Sequence, residues 1–169
     1  MVARHFAEIG CSRTAMVNGH AEMPTSIIRA AAFTAEADAL GIPVDDRSIF
    51  APVRSADGIA QAVRLLREDS DIDGVFAGDD LLAAFLMREL TVLGRRVPDD
   101  VAVCGFDNIV WADLLKPALT TVAQPKLELG SRACRFLLDD HNVDNRMFDT
   151  LPVSMIIRET TPVSAAPTT

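Results

Sequence analysis

The strongest constraint on this chain is residues 73–108, where two short apolar runs flank one well-bounded helix pattern. Gly74, Val75, Phe76 and Ala77 form the first run, and Val101, Ala102, Val103 and Cys104 the second. Runs of this length, bounded by Gly, Pro and Asp and without polar alternation, suit central strands of a parallel sheet covered on both faces. Between them Asp80 is a suitable N-cap and Gly94 a suitable C′ residue, while Arg95 and Arg96 favour the negative helix end and Pro98 blocks continuation. Each run leads into acid. Parallel strands bring their C-termini to one sheet edge, so Asp79, Asp80, Asp107 and Asn108 are expected at a shared crevice, where open α/β sheets bind ligands.

The helix between the runs is apolar on two sides. At about 100° per residue, Leu82, Ala83, Leu86, Leu90 and Leu93 make one stripe; Leu81, Phe85 and Val92 make another, divided from the first by Glu89. Such a helix needs two partners. One is the sheet, and the second stripe leaves room for another subunit.

The rest of the chain repeats the alternation. Residues 2–9 read as a helix stopped by Gly10, residues 13–17 as a strand, and Asn18-Gly19-His20 as a turn at its end. Pro24, Thr25 and Ser26 announce a helix with Ile28, Ala31, Ala32, Ala35 and Ala39 on one face, ending before Gly41. Residues 48–51 form a weak strand, and Asp57 or Gly58 opens a helix through Ile59, Ala62, Val63 and Leu66. The expected fold class is α/β, a Rossmann-like parallel sheet flanked by helices with right-handed crossovers. Beyond Ile109 the pattern changes: an irregular segment broken by Pro117, an extended connector over 120–125, an amphipathic helix over 127–138, a strand over 151–158 and a small, polar tail.

Composition narrows the function. With 169 residues, 49% of them hydrophobic, the chain can bury one substantial core, and a net charge of −8 argues against its gripping a phosphate backbone itself. Cys11, Cys104 and Cys134 have no metal or redox spacing and read as reduced and structural. Neither a signal-peptide core nor a run approaching the roughly 18 residues of a membrane span is present, so a cytoplasmic location is expected and no membrane partner. No cofactor and no metal are expected. Asp79, Asp107 and His20 could converge as a catalytic set, but no nucleophile, P-loop or metal-spaced cluster accompanies them, and catalysis is disfavoured. Gly105 lacks the further glycines of a dinucleotide fingerprint.

Several phrases occur together: Asp79-Asp80 after a strand; Leu93-Gly94-Arg95-Arg96-Val97-Pro98-Asp99-Asp100-Val101; Gly105-Phe106-Asp107-Asn108; Pro117-Ala118-Leu119-Thr120-Thr121-Val122-Ala123-Gln124-Pro125; and Ile157-Arg158-Glu159-Thr160. With Arg29-Ala30-Ala31-Ala32-Phe33, which is similar to the family's Arg-x-x-Gly-Phe segment, they resemble the C-terminal half of LacI/GalR-type bacterial transcription regulators. The resemblance implies a type I periplasmic-binding-protein-like lobe over 1–119, a crossover with a remnant helix of the N-terminal lobe over 120–150, a returning strand over 151–160 and a flexible tail over 161–169. It implies a small-molecule effector, a carbohydrate first and a nucleoside second, held between lobes, a homodimer, and operator DNA bound only through an N-terminal domain missing from this sequence. A periplasmic-type solute-binding protein fragment shares the fold and is the alternative.

The resemblance also points to residues. Asp107 matches an effector-contacting aspartate, against a helix-cap role, and Asp79 matches a position that touches ligand; Asp80 is then the cap. Arg29 matches an arginine that reaches ligand, weighed against an exposed helix arginine with a weak salt bridge. Val53 stands where several relatives offer an aromatic platform, which weakens a claim for a ligand needing one. Gln124 either lines the cleft or serves only as connector, and His20, at a strand end, is better read as a solvated turn residue. Family analogy places the dimer contact on Leu81, Ala84, Phe85 and Arg88.

Overall fold

Apolar runs without alternation become strands buried from both sides, and the sheet they form sets every other element. In the computed structural model, which describes residues 1–20, 22–44, 49–50, 56–138 and 150–162, the order is α1 (Val2–Glu8), β1 (Thr14–Asn18), α2 (Pro24–Ala39), β2 (Ile49–Phe50), α3 (Ala56–Glu68), β3 (Gly74–Ala77), α4 (Asp80–Val92), β4 (Ala102–Asp107), β5 (Thr120–Ala123), α5 (Lys126–Leu138) and β6 (Ser154–Ile156). The strands form one sheet ordered β2-β1-β3-β4-β5-β6. Every described pair is parallel except β5 with β6, and β3 meets β4 with Gly74 opposite Ala102 and Phe76 opposite Cys104.

Alternate residues of each strand feed two cores. Ala15, Val17, Val75, Ala77 and Val103 face Leu65 and Leu66 of α3 and Leu82, Leu86 and Leu90 of α4, whereas Met16, Phe76, Ala102, Cys104 and Val122 face Phe6 of α1 and Phe33 and Ala37 of α2. Two-sided covering explains the missing polar alternation. Each fully buried Phe or Leu contributes about 1.5–3 kcal/mol, so the nine-residue span from Leu82 to Leu90, buried at 82, 83, 86, 87 and 90, is a principal anchor of the sheet. Asp73, ahead of β3, fixes the start of β1: its carboxylate accepts from Ser12 N at 2.7 Å, Ser12 Oγ at 2.8 Å and Arg13 N at 3.0 Å. Arg95 ties the loops at the opposite edge, its guanidinium donating to the carbonyls of Leu66, Ser70, Ile72 and Asp100.

Four sequence expectations change. Residues 120–123 are extended as read, but as strand β5 they pair with β4, with Gly105 opposite Thr121, instead of merely connecting. β4 runs on through Gly105 and Phe106 to Asp107. In α2 the buried side is Ser26, Phe33 and Ala37, while Ile28, Ala31, Ala32, Ala35 and Ala39 are exposed, because the large Phe33 ring claims the sheet and rotates the alanines outward. The strand over 151–158 is reduced to β6, and the chain beyond it is fastened by side chains. Thr160 Oγ1 donates to Val103 O at 2.7 Å and accepts from Thr120 N at 2.8 Å, and Thr161 Oγ1 lies 2.9 Å from Thr120 Oγ1 and 2.8 Å from His5 Nε2. Burial pushes the His5 imidazole below its ordinary pKa.

α5 stands apart. None of its residues is buried, and Leu127, Leu137 and Leu138 are almost bare although the helix is strongly amphipathic. Val53, Asp139 and the tail beyond Pro162 lie outside the described residues.

Candidate functional site

The C-terminal edge of β3 and β4 carries the acids. Gly78 follows β3 closely packed on β1, donating its N–H to Val17 O at 2.8 Å; a Cβ there would lie 2.2 Å from Asn18 Oδ1. Asp79 comes next. It is the N-cap of α4, its Oδ1 accepting from Leu82 N at 2.7 Å, so the sequence assignment of that cap to Asp80 is corrected by one residue. An extended φ of −151° at Asp79 gives the cap geometry, and Asp80 already lies inside the first turn.

Asp80 points inward instead. Its carboxylate is fully buried and accepts from Ile109 N at 2.7 Å and from Thr121 Oγ1 on β5. Burial pushes its pKa up, the two donors pull it back, and the neighbouring Asp107 and Asp79 carboxylates push it up further. Asp79 and Asp107 close the C-terminal ends of the adjacent parallel strands β3 and β4.

Asp107 ends β4 with φ +108° and is followed by Asn108 at +48°, both in the left-handed half of conformational space that non-glycine residues rarely occupy. The turn is pinned on several sides. Asp107 Oδ1 accepts from Gln124 Nε2, Asn108 Oδ1 from Arg158 Nη2 at 2.9 Å, and Asn108 O from Lys126 Nζ at 3.3 Å. Gln124 therefore reaches the acidic edge from the end of β5.

Arg29 is not a loosely solvated helix arginine. Its Nη1 donates to Gly78 O at 2.7 Å, and its guanidinium lies over the Phe106 ring, 3.7 Å from the centroid. This cation–π stack fixes the charge at the rim and lowers its freedom to wander. A small apolar hollow of about 160 Å³ opens beside it, walled by Phe33, Phe76, Phe106, Val122 and Val153. His20 is exposed beyond the end of β1, on the same edge, with its carbonyl accepting from Met23 N. Arg29, Asp79, Asp107 and Gln124 are thus brought together, His20 stands at the periphery, and Val53 cannot be placed among them. Sequence reasoning missed Phe106, which supports Arg29, and Asn18, whose Nδ2 donates to Ser26 O at 2.7 Å and so fixes the start of α2.

Two larger hollows, of about 480 and 540 Å³, flank the outer side of α4 rather than the acidic edge. They share Arg88, with Ala84 lining one and Phe85 the other. The second stripe of α4 is open: Leu81 is 43% exposed and Val92 74%, Phe85 is half-buried, and Arg88 is paired with Glu89. Val110, Trp111 and Leu114, in the segment after the Asp107 turn, are exposed as well. Among the described residues no group of three His, Cys, Asp or Glu side chains is arranged to hold a metal, and no helix is long and apolar enough to cross a membrane.

Acids and an arginine gather at the C-terminal edge of the sheet, where open α/β sheets bind ligands, and residues 3–161 match the periplasmic binding protein-like domain family. The chain belongs to that family, and its relatives place it with the LacI-family transcriptional regulators. It is 29% identical over 163 residues to the HTH-type transcriptional repressor PurR of Photobacterium profundum, a match covering 94% of this chain and 48% of the relative. Among solved structures it resembles a transcriptional regulator CelR–cellobiose complex (TM-score 0.80, 29% identity, 94% of this chain and 50% of that one). A ribose-bound LacI-family regulator of Enterococcus faecalis V583 is similar too (TM-score 0.77, 27% identity, 95% and 58%). The chain spans about half the length of these proteins.

Proposed function

We propose that this chain is the effector-sensing and dimer-forming part of a LacI-type DNA-binding transcriptional regulator, acting in the cytoplasm. The observation that carries the reading is the convergence of Asp79 and Asp107, from the ends of adjacent parallel strands, with Gln124 and the stacked Arg29. Carboxylates accept from several hydroxyls, and the guanidinium and amide donate, which is the complement of a neutral, hydroxyl-rich molecule. A carbohydrate is the first choice and a nucleoside the second. In this reading residues 1–123 and the returning residues 151–160 form one lobe, and α5 belongs to the other. Leu81, Ala84, Phe85 and Arg88 meet a second copy, joined by the exposed segment after Asp107, and operator DNA is read by a domain outside these 169 residues. A ligand with different affinity for two lobe arrangements biases that domain, by no more than the difference. That the relatives are regulators favours this over a periplasmic carrier.

Calorimetry with cellobiose, lactose, ribose and adenosine, on the full-length protein and on this chain, tests the proposal. Binding of one of them, weakened about tenfold or more by Asp107→Ala, is expected, as a lost hydrogen bond to a charged acceptor implies. A full-length protein that binds a ligand with undiminished affinity after that substitution overturns the assignment of the site.

A further inference from the structure

We propose that Asp80 is the positioning residue of this site, joining the first turn of α4 to the Asp107–Asn108 turn and to β5 so that the dimer-facing surface and the ligand-holding turn respond together. The inference rests on the reading above and adds the residue that links its two surfaces. Helix capping does not occupy the Asp80 carboxylate, because Asp79 performs it. Instead the group enters the end of the sheet, where Ile109 N and Thr121 Oγ1 donate to it. The passage it uses exists only because residue 105 is glycine: a Cβ on Gly105 would sit 2.3 Å from Asp80 Oδ1.

The turn it holds is unfavourable by itself. Two consecutive non-glycine residues at positive φ persist only where their surroundings over-determine them. Gln124, Lys126 and Arg158 hold the turn from the crossing and returning segments, and Asp80 holds its far end, at Ile109, from α4. One residue further along the helix, Leu81 begins the exposed stripe, and two residues beyond Ile109, Trp111 stands in solvent. A shift of α4 therefore reaches the Asp107–Asn108 turn through one buried carboxylate. An amide cannot replace it fully, since an Asn side chain offers one acceptor oxygen and turns an NH2 toward the other donor.

Amide hydrogen exchange and indole fluorescence on the unliganded chain test this, whether or not any sugar binds; Trp111 is the sole tryptophan and reports the segment. Asp80→Asn should speed exchange at Ile109 about tenfold, the factor matching one lost charged-acceptor bond, and shift Trp111 emission, while Phe76 and Val103 keep their rates. Thr121→Val should move Ile109 the same way, and Thr121→Ser, which keeps the hydroxyl, should restore it. Phe85→Ala should shift the Ile109 amide resonance in the parent and not in Asp80→Asn. An unchanged Ile109 rate, or equal acceleration at Phe76 and Val103, overturns the proposal, as do equal Phe85→Ala shifts in both backgrounds. Should Asp80→Asn fail to fold, the Thr121 pair decides: indistinguishable Ile109 rates in Thr121→Val and Thr121→Ser overturn it.

Discussion

Gly105→Ala tests the packing around the acidic edge most directly. The new methyl would lie 2.3 Å from Asp80 Oδ1, with Leu119 Cδ2 at 3.0 Å and Asp80 Cα at 3.3 Å. The leucine methyl can swing aside, but the carboxylate is buried and bonded twice, so relief of the clash withdraws it from Ile109 N and Thr121 Oγ1. Hydrogen bonds to a charged acceptor are worth about 1.5–3 kcal/mol each, and replacing Gly by Ala returns roughly 0.4–1 kcal/mol through the unfolded chain. The net destabilisation is then roughly 2–5 kcal/mol, a large part of the 5–15 kcal/mol typical of a domain. Urea unfolding followed by circular dichroism reads it as a lower midpoint with the slope unchanged. A double-mutant cycle isolates the cause: in an Asp80→Ala background the clashing oxygen is gone, and Gly105→Ala should cost under about 1.5 kcal/mol, since the remaining contacts are those of ordinary crowding. Equal costs in the two backgrounds, to within about 0.5 kcal/mol, would refute the steric account.

Phe85→Asp places a charge in the open stripe of α4 and should yield monomers by light scattering; an unchanged dimer removes that helix from the interface. The Arg96 guanidinium and backbone hold Asp100 down to a pKa of about 2, from a usual 3.8. Because the folded value is the lower one, the stabilisation is complete above the unfolded pKa and fades as pH falls through the folded one. Asp100→Asn should accordingly flatten the loss of urea midpoint between about pH 4 and 2. In α5, Gly130 meets nothing within 4 Å of an added Cβ, so Gly130→Ala should raise helicity by circular dichroism through roughly 1 kcal/mol of propensity. With no residue of α5 buried, the urea midpoint should stay where it is, and a shift would show that the helix packs on the body.

The strand-helix-strand unit was legible because its signals agree: apolar runs, a marked helix start, and a glycine at the helix end that takes φ +75°. The edge that gathers Asp79 and Asp107 followed from parallel strands alone. The division of labour between Asp79 and Asp80 did not, since both are capping residues and only the backbone angle at the boundary separates them. The outward alanines of α2 were misread because small residues mark a face weakly, and one phenylalanine outweighs them. β5 was seen as extended without its place in the sheet, a tertiary fact that Thr-Thr-Val-Ala does not state. Gly105 did leave a trace: a glycine inside a strand signals that something approaches closely, here the carboxylate of Asp80 from the start of α4.

The hydroxyls of Thr160 and Thr161 take over where strand pairing has stopped, bonding to Val103, Thr120 and His5. The first helix, two inner strands and the far end of the chain are therefore clasped at one buried point. Trimming the polypeptide just before residue 160 would strand a carbonyl, an amide and an imidazole in a dry interior.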